Sequence, residues 1–155
     1  MIPCDDKFGP VLEALLQCAA GALDDCGVPA ERVSLSPGSA VAWDDCCAGQ
    51  LWVRAISITP VQTQPCGYTT LTLQAGVGIL RCVSVLDDIG TPPTPAELTA
   101  DTLQSTTDAS ILLGAIMCCE LPGVNGKGVR VTGGTPLGAD GGCAGWEWTM
   151  TIPVL

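Results

Sequence analysis

The chain contains no histidine. That removes the side chain most often used as a general base and as a metal ligand. Basic residues are scarce too: 6 Lys and Arg stand against 16 Asp and Glu, for a net charge of −10. Affinity for phosphate comes from clustered Lys and Arg, so the balance argues against direct gripping of nucleic acid and is compatible with repelling it. No CxxC pair occurs among the 10 cysteines, which leaves zinc-ribbon and thioredoxin-like readings without support. The longest apolar run, Ile111 to Cys119, is too short to span a bilayer, and no membrane partner is expected. The opening Met1-Ile-Pro-Cys-Asp-Asp has neither the basic start nor the apolar segment of a signal peptide. The expectation is a chain made in the cytoplasm and left unprocessed, with its cysteines mostly buried thiols or joined in one to three disulfides.

What is present fits one domain spanning residues 1–155. A chain of this length buries roughly 70% of its unfolded surface. Its hydrophobic fraction is 47% and its charged fraction 14%, low charge for a soluble monomer, so some apolar surface is expected to be covered by a partner.

The organising stretch is Val41 to Pro60. A turn-like cluster, Trp43-Asp44-Asp45-Cys46-Cys47, precedes a strand from Leu51 to Thr59 rich in β-branched and aromatic residues. Both faces of that strand are mostly apolar, which predicts a central position covered on both sides. Arg54 is the exception and needs a carboxylate, an exit to solvent or a neighbouring subunit. Before it, Val11, Leu15, Ala19 and Leu23 recur at helical spacing, predicting a helix from Phe8 to Cys26 capped by Asp5 or Asp6 and stopped at Gly27. Residues 30–42 read as a loop with one short strand around Val33 and Leu35. Residues 61–67 read as a turn-rich link. From Thr69 to Val85, Leu71, Leu73, Ala75, Val77 and Ile79 alternate with polar or glycine residues, predicting a half-buried strand with a bend near Gly76 or Gly78, or a projecting hairpin.

Thr94-Pro95-Ala96-Glu97 is a capping box with proline at N1 and predicts a helix to Cys119. Its first half is polar at Thr102, Ser105 and Thr106 on the face predicted to turn inward. Residues 125–142 read as Gly-rich turns with a short strand at Val129 to Val131. Trp146, Trp148, Met150 and Ile152 alternate with Glu147, Thr149 and Thr151 in a final strand. The fold class expected is α+β: a largely antiparallel sheet with two main helices packed on one face.

No constellation for chemistry stands out. Asp44-Asp45 and Asp87-Asp88 are paired carboxylates, but they lie in turns and read as solvated residues without calcium-loop spacing. A cysteine nucleophile would need a base that histidine cannot supply here. No catalytic residue, metal ligand or cofactor is expected. Cys46, Cys47, Cys66, Cys82, Cys118, Cys119 and Cys143 are candidates for disulfides or buried thiols, with the pairing open. Lys127 in its glycine loop lacks phosphate-loop spacing and reads as part of a contact loop. Trp146 and Trp148 suit a core or an interface between subunits.

Four segments carry a resemblance: VAWDDCCAGQLWVRAISITP, PCGYTTLTLQAGVGILRC, PPTPAELTADTLQSTTDAS and TPLGADGGCAGWEWTMTIPV. In order and spacing, from about Ala40 to Val154, they resemble the tail terminator of long-tailed phages (siphoviruses) of actinobacteria. The resemblance implies a virion structural protein assembled in the host cytoplasm. It implies a hexameric ring that caps the tail tube protein, joins it to the head–tail connector or stopper, and lets DNA pass through its lumen without specific binding. It carries no catalytic residue. On that reading Asp87 and Asp88 are candidates to face the lumen. Arg54, Thr102, Ser105, Thr106, Lys127, Trp146 and Trp148 are candidates for subunit contacts. The alternatives are another head–tail connector such as the stopper, a disulfide-rich extracellular binding module, and a cysteine-dependent enzyme.

Overall fold

A computed structural model describes residues 4–43, 45–124 and 128–155. The elements in chain order are α1 (Gly9–Asp25), β1 (Arg32–Ser36), β2 (Gln50–Gln64), β3 (Gly67–Cys82), α2 (Pro95–Cys118), β4 (Arg130–Asp140) and β5 (Cys143–Val154). The strands form one sheet in the order β1-β2-β3-β5-β4. β1 runs parallel to β2 and every other pair is antiparallel, so the α+β sheet is mixed.

Both helices pack on one face. The apolar stripe of α1, Val11, Leu15, Ala19 and Leu23, is fully buried against Leu51 and Val53 of β2 and the odd-numbered residues of β3. Leu112 and Ile116 of α2 join the same core, with Met150 and Ile152 of β5. Burial of side chains this size stabilises by about 1.5–3 kcal/mol each. The start of α1 is capped by the Asp6 carboxylate, which accepts from the Phe8 and Gly9 amides at 3.0 and 2.9 Å. Those two bonds hold the Asp6 pKa below its usual value. Its end is a Schellman turn: Gly27, at φ +71°, donates to the Asp24 carbonyl and Val28 donates to that of Leu23. The capping box of α2 forms as its sequence predicts, with Thr94 Oγ1 accepting from the Glu97 amide and Glu97 accepting from the Thr94 amide.

Four sequence expectations need correction. Residues 61–64 are strand, because β2 continues as one arm of a hairpin with β3 and turns only at Pro65-Cys66. The irregular pairings fall on β2, between Ala55 and Ser57 and again between Val61 and Gln64, and leave Gly76 and Gly78 in regular register. Central β2 is buried only over its first residues; from Ser57 onward both strands of the arm are mostly exposed. The Gly-rich segment expected to be turns contains an eleven-residue strand, β4. As an edge strand β4 tolerates Pro136 and its glycines, and Gly134 leaves room where a Cβ would meet the Trp148 indole at 2.6 Å.

Candidate functional site

The sheet face without helices carries the polar chemistry. Trp52 and Arg54 on β2 and Glu147 on β5 reach toward one another across β3. They can do so because β3 has glycine between them. At Gly78 a Cβ would collide with the Trp52 ring, and at Gly76 it would come within 3.0 Å of the Glu147 carboxylate. The two glycines therefore form a trough in which long side chains from the flanking strands lie.

Glu147 is 8% exposed and Trp52 1%. Trp52 Nε1 donates to Glu147 Oε2 at 2.8 Å. Arg54 grips the carboxylate with two donors, Nε to Oε2 at 2.9 Å and Nη2 to Oε1 at 2.7 Å. The remaining guanidinium nitrogen, Nη1, donates to the Ser39 carbonyl at 2.8 Å and ties in the loop before β2. Burial raises the Glu147 pKa, but the hydrogen bonds from Arg54 and Trp52 and the Arg54 charge outweigh it, and the net shift is downward. The bond to Glu147 moves Arg54 upward. Both carboxylate oxygens are engaged by donors, so the group acts as a fixed anion that locks three strands and a loop.

Beside this trough four cysteines converge. Cys82 and Cys143 face each other in the β3–β5 register. Cys46 and Cys47 arrive from the loop before β2, in a turn closed by the Gly49 amide donating to the Cys46 carbonyl, with Gly49 at φ +81°. Disulfides join Cys46 to Cys143 and Cys47 to Cys82. Cys46, Cys143, Trp52 and Leu80 form a small second core, with Val41 and Leu137 against it.

A second ion pair sits at the rim of the helix layer. Arg81 of β3 donates through Nε and Nη2 to Asp108 of α2, at 2.6 and 3.1 Å. Its Nη2 also reaches the Val28 carbonyl at 2.6 Å just after α1, so one side chain ties both helices to the sheet. Cys18 of α1 is joined by a disulfide to Cys119, which follows α2.

The expected site residues are scattered. Arg54 finds its carboxylate within the chain. Thr102 and Thr106 lie exposed on α2 and Ser105 half-buried, and both threonine hydroxyls donate back to helix carbonyls. The first half of α2 thus points to solvent, and its buried stripe begins only at Asp108. Trp146 is half-buried at the sheet. Trp148 lies under α2 and donates from Nε1 to the Ala109 carbonyl at 2.8 Å. Asp87 and Asp88 occupy an exposed turn in which Asp87 accepts from the Ile89 and Thr91 amides; the bond from Thr91 leads in setting its pKa below the usual value. Asp44 and Lys127 lie outside the described residues. Five of the seven candidate cysteines are in disulfides, while Cys66 and Cys118 carry free, exposed thiols, contrary to the expectation of burial.

Sequence reasoning passed over Glu147, Arg81 and Asp108 as sites. The signal was present. Arg54 on an apolar strand demanded an acid, and Glu147 is the lone acid on the final strand. Asp108 stands four residues before Leu112, on the stripe that α2 buries. No family model and no curated protein matches the chain.

Proposed function

We propose that the chain is a virion structural protein, a tail terminator that closes into a hexameric ring on the end of a tail tube and joins it to the head connector. Support begins with the four segments quoted above and their resemblance to that family. The observation that carries the reading further is where apolar surface is left uncovered. Ile58, Val61 and Tyr68 are about half exposed on the β2–β3 arm, and Val33 and Leu35 on β1 at the sheet edge are also exposed. A second set, Leu98, Leu103 and Met117, lies exposed on α2. A ring closes when two different surfaces of one subunit fit each other head to tail, and two unlike apolar sets on separate elements suit that requirement. The acidic balance suits a lumen through which DNA slides, because like charge keeps phosphates from sticking. The exposed turn at Asp87 and Asp88 is a place where such charge sits.

Electron microscopy of the purified chain, alone and mixed with tail tubes, tests the reading. Closed rings, and rings seated on tube ends, are expected. Tyr68→Asp with Ile58→Asp should abolish rings and leave a folded monomer by circular dichroism. The three disulfides favour a second reading, an extracellular binding module. A chain that stays monomeric at every concentration, ignores tail tubes and keeps all three disulfides would select that one.

A further inference from the structure

We propose that Cys46, Cys47, Cys82 and Cys143, when reduced, form a tetrathiolate site for one soft divalent cation, with Zn2+ as the natural occupant. The sequence hides this site because its ligands come as an adjacent pair and two distant singles. The fold brings them together: Cys82 and Cys143 are cross-strand partners, and the Cys46-Cys47 turn is folded over them.

The geometry is that of a tetrahedral sulfur cage. A Zn–S bond of ~2.3 Å places sulfurs ~3.8 Å apart along each edge of a tetrahedron. The Sγ atoms of Cys46 and Cys82, which are not bonded to each other, stand 3.8 Å apart. The Sγ atoms of Cys46, Cys47 and Cys82 all lie within 4.8 Å of one another, and Cys143 is bonded to Cys46. Side-chain rotation opens the two bonded pairs to the same edge without moving the strands. Four sulfurs with no oxygen or imidazole among them select zinc over magnesium or calcium. Cys46 is buried and Cys47 and Cys82 are exposed, so the cage has an inner wall and an entry side.

The two states exclude each other. With a phosphine as reductant, each disulfide becomes two thiols; water supplies the two protons and its oxygen leaves on the phosphine oxide. Binding of the cation then forms four metal–sulfur bonds and releases the thiol protons, one from each sulfur. The same four side chains therefore cross-link the loop to β3 and β5 covalently when oxidised and through the metal when reduced. This inference is independent of the ring reading, since it needs only the folded chain.

The test takes the full chain, reduced with a phosphine under inert gas, and titrates it with Co2+ and then Zn2+. One equivalent of Co2+ should give the sulfur-to-cobalt charge-transfer absorption of a tetrahedral thiolate site, and one equivalent of Zn2+ should discharge it. Cys82→Ser should weaken binding by about tenfold or more. Cys18→Ser with Cys119→Ser, on the other side of the sheet, should bind as the parent does. Because Cys82→Ser can fail by not folding, alkylation of the parent chain is read in parallel. Saturating Zn2+ should protect Cys46, Cys47, Cys82 and Cys143 and leave Cys26, Cys66 and Cys118 reactive. Absence of the absorption in the reduced parent, or protection of a different or smaller set of cysteines, overturns the proposal.

Discussion

The two faces of the sheet are made by alternate residues of the same strands, yet they are held by different forces. On the helix side Leu51, Val53, Val77, Ile79, Met150 and Ile152 fill space against α1 and α2. On the other side the neighbours of those residues in sequence, Trp52, Arg54, Gly76, Gly78 and Glu147, make a polar lock over a glycine trough. Two disulfides close the end of that face. The helix side draws on volume, which no change of pH or salt removes. The open side draws on charge, geometry and covalent bonds, each of which solution conditions can switch.

The comparison can be broken most heavily from the apolar side. Leu73→Ala should cost about 4 kcal/mol in denaturant unfolding, because it opens a cavity in a fully buried cluster. That cost should stay constant between pH 3 and 8. Glu147→Ala should cost about 3 kcal/mol by leaving Arg54 and the Trp52 N–H without their partner. Arg54→Ala in the same background should then add little, so a double-mutant cycle reads the coupling directly. This side should also respond to acid. The folded pKa of Glu147 lies below its unfolded value of ~4.3, so its contribution is complete above that pH and is lost as pH falls through the folded pKa. Unfolding curves of parent and Glu147→Gln should converge toward that acid limit; curves that stay parallel would show that the lock holds no charge-dependent stability.

Gly78→Ala sharpens the contrast. Its added methyl meets the Trp52 ring, and about 2 kcal/mol of destabilisation is expected. Trp52→Leu in the same chain should return part of it, since the clash is with the indole. The smallest effect belongs to neither face: Thr94→Ala removes the capping box and should lower the stability by about 1 kcal/mol.

Features written in local spacing were legible before the fold was seen. The stripe of α1, the Thr94–Glu97 cap and the alternation of β3 and β5 each need only neighbours within a few residues. Arg54 announced that it needed a partner, but the sequence did not name Glu147, 93 residues away. Disulfide pairing was equally hidden, since Cys18 and Cys119 are separated by 101 positions. β4 read as turns because its glycines and proline suit loops. The edge position that makes them acceptable is a property of the sheet, and so is the room that Gly134 leaves for Trp148. The four-cysteine cluster escaped for the same reason, its members being gathered by strand register and by one folded loop.

The link between Cys47 and Cys82 spans the base of the β2–β3 arm. A protease that nicks the exposed tip near Pro65 would therefore leave both fragments joined in one body, running as intact chain on a gel until reductant is added. The same clasp makes that tip a tolerant place to graft a tag or an epitope, because the ends of any insert are already held together from below.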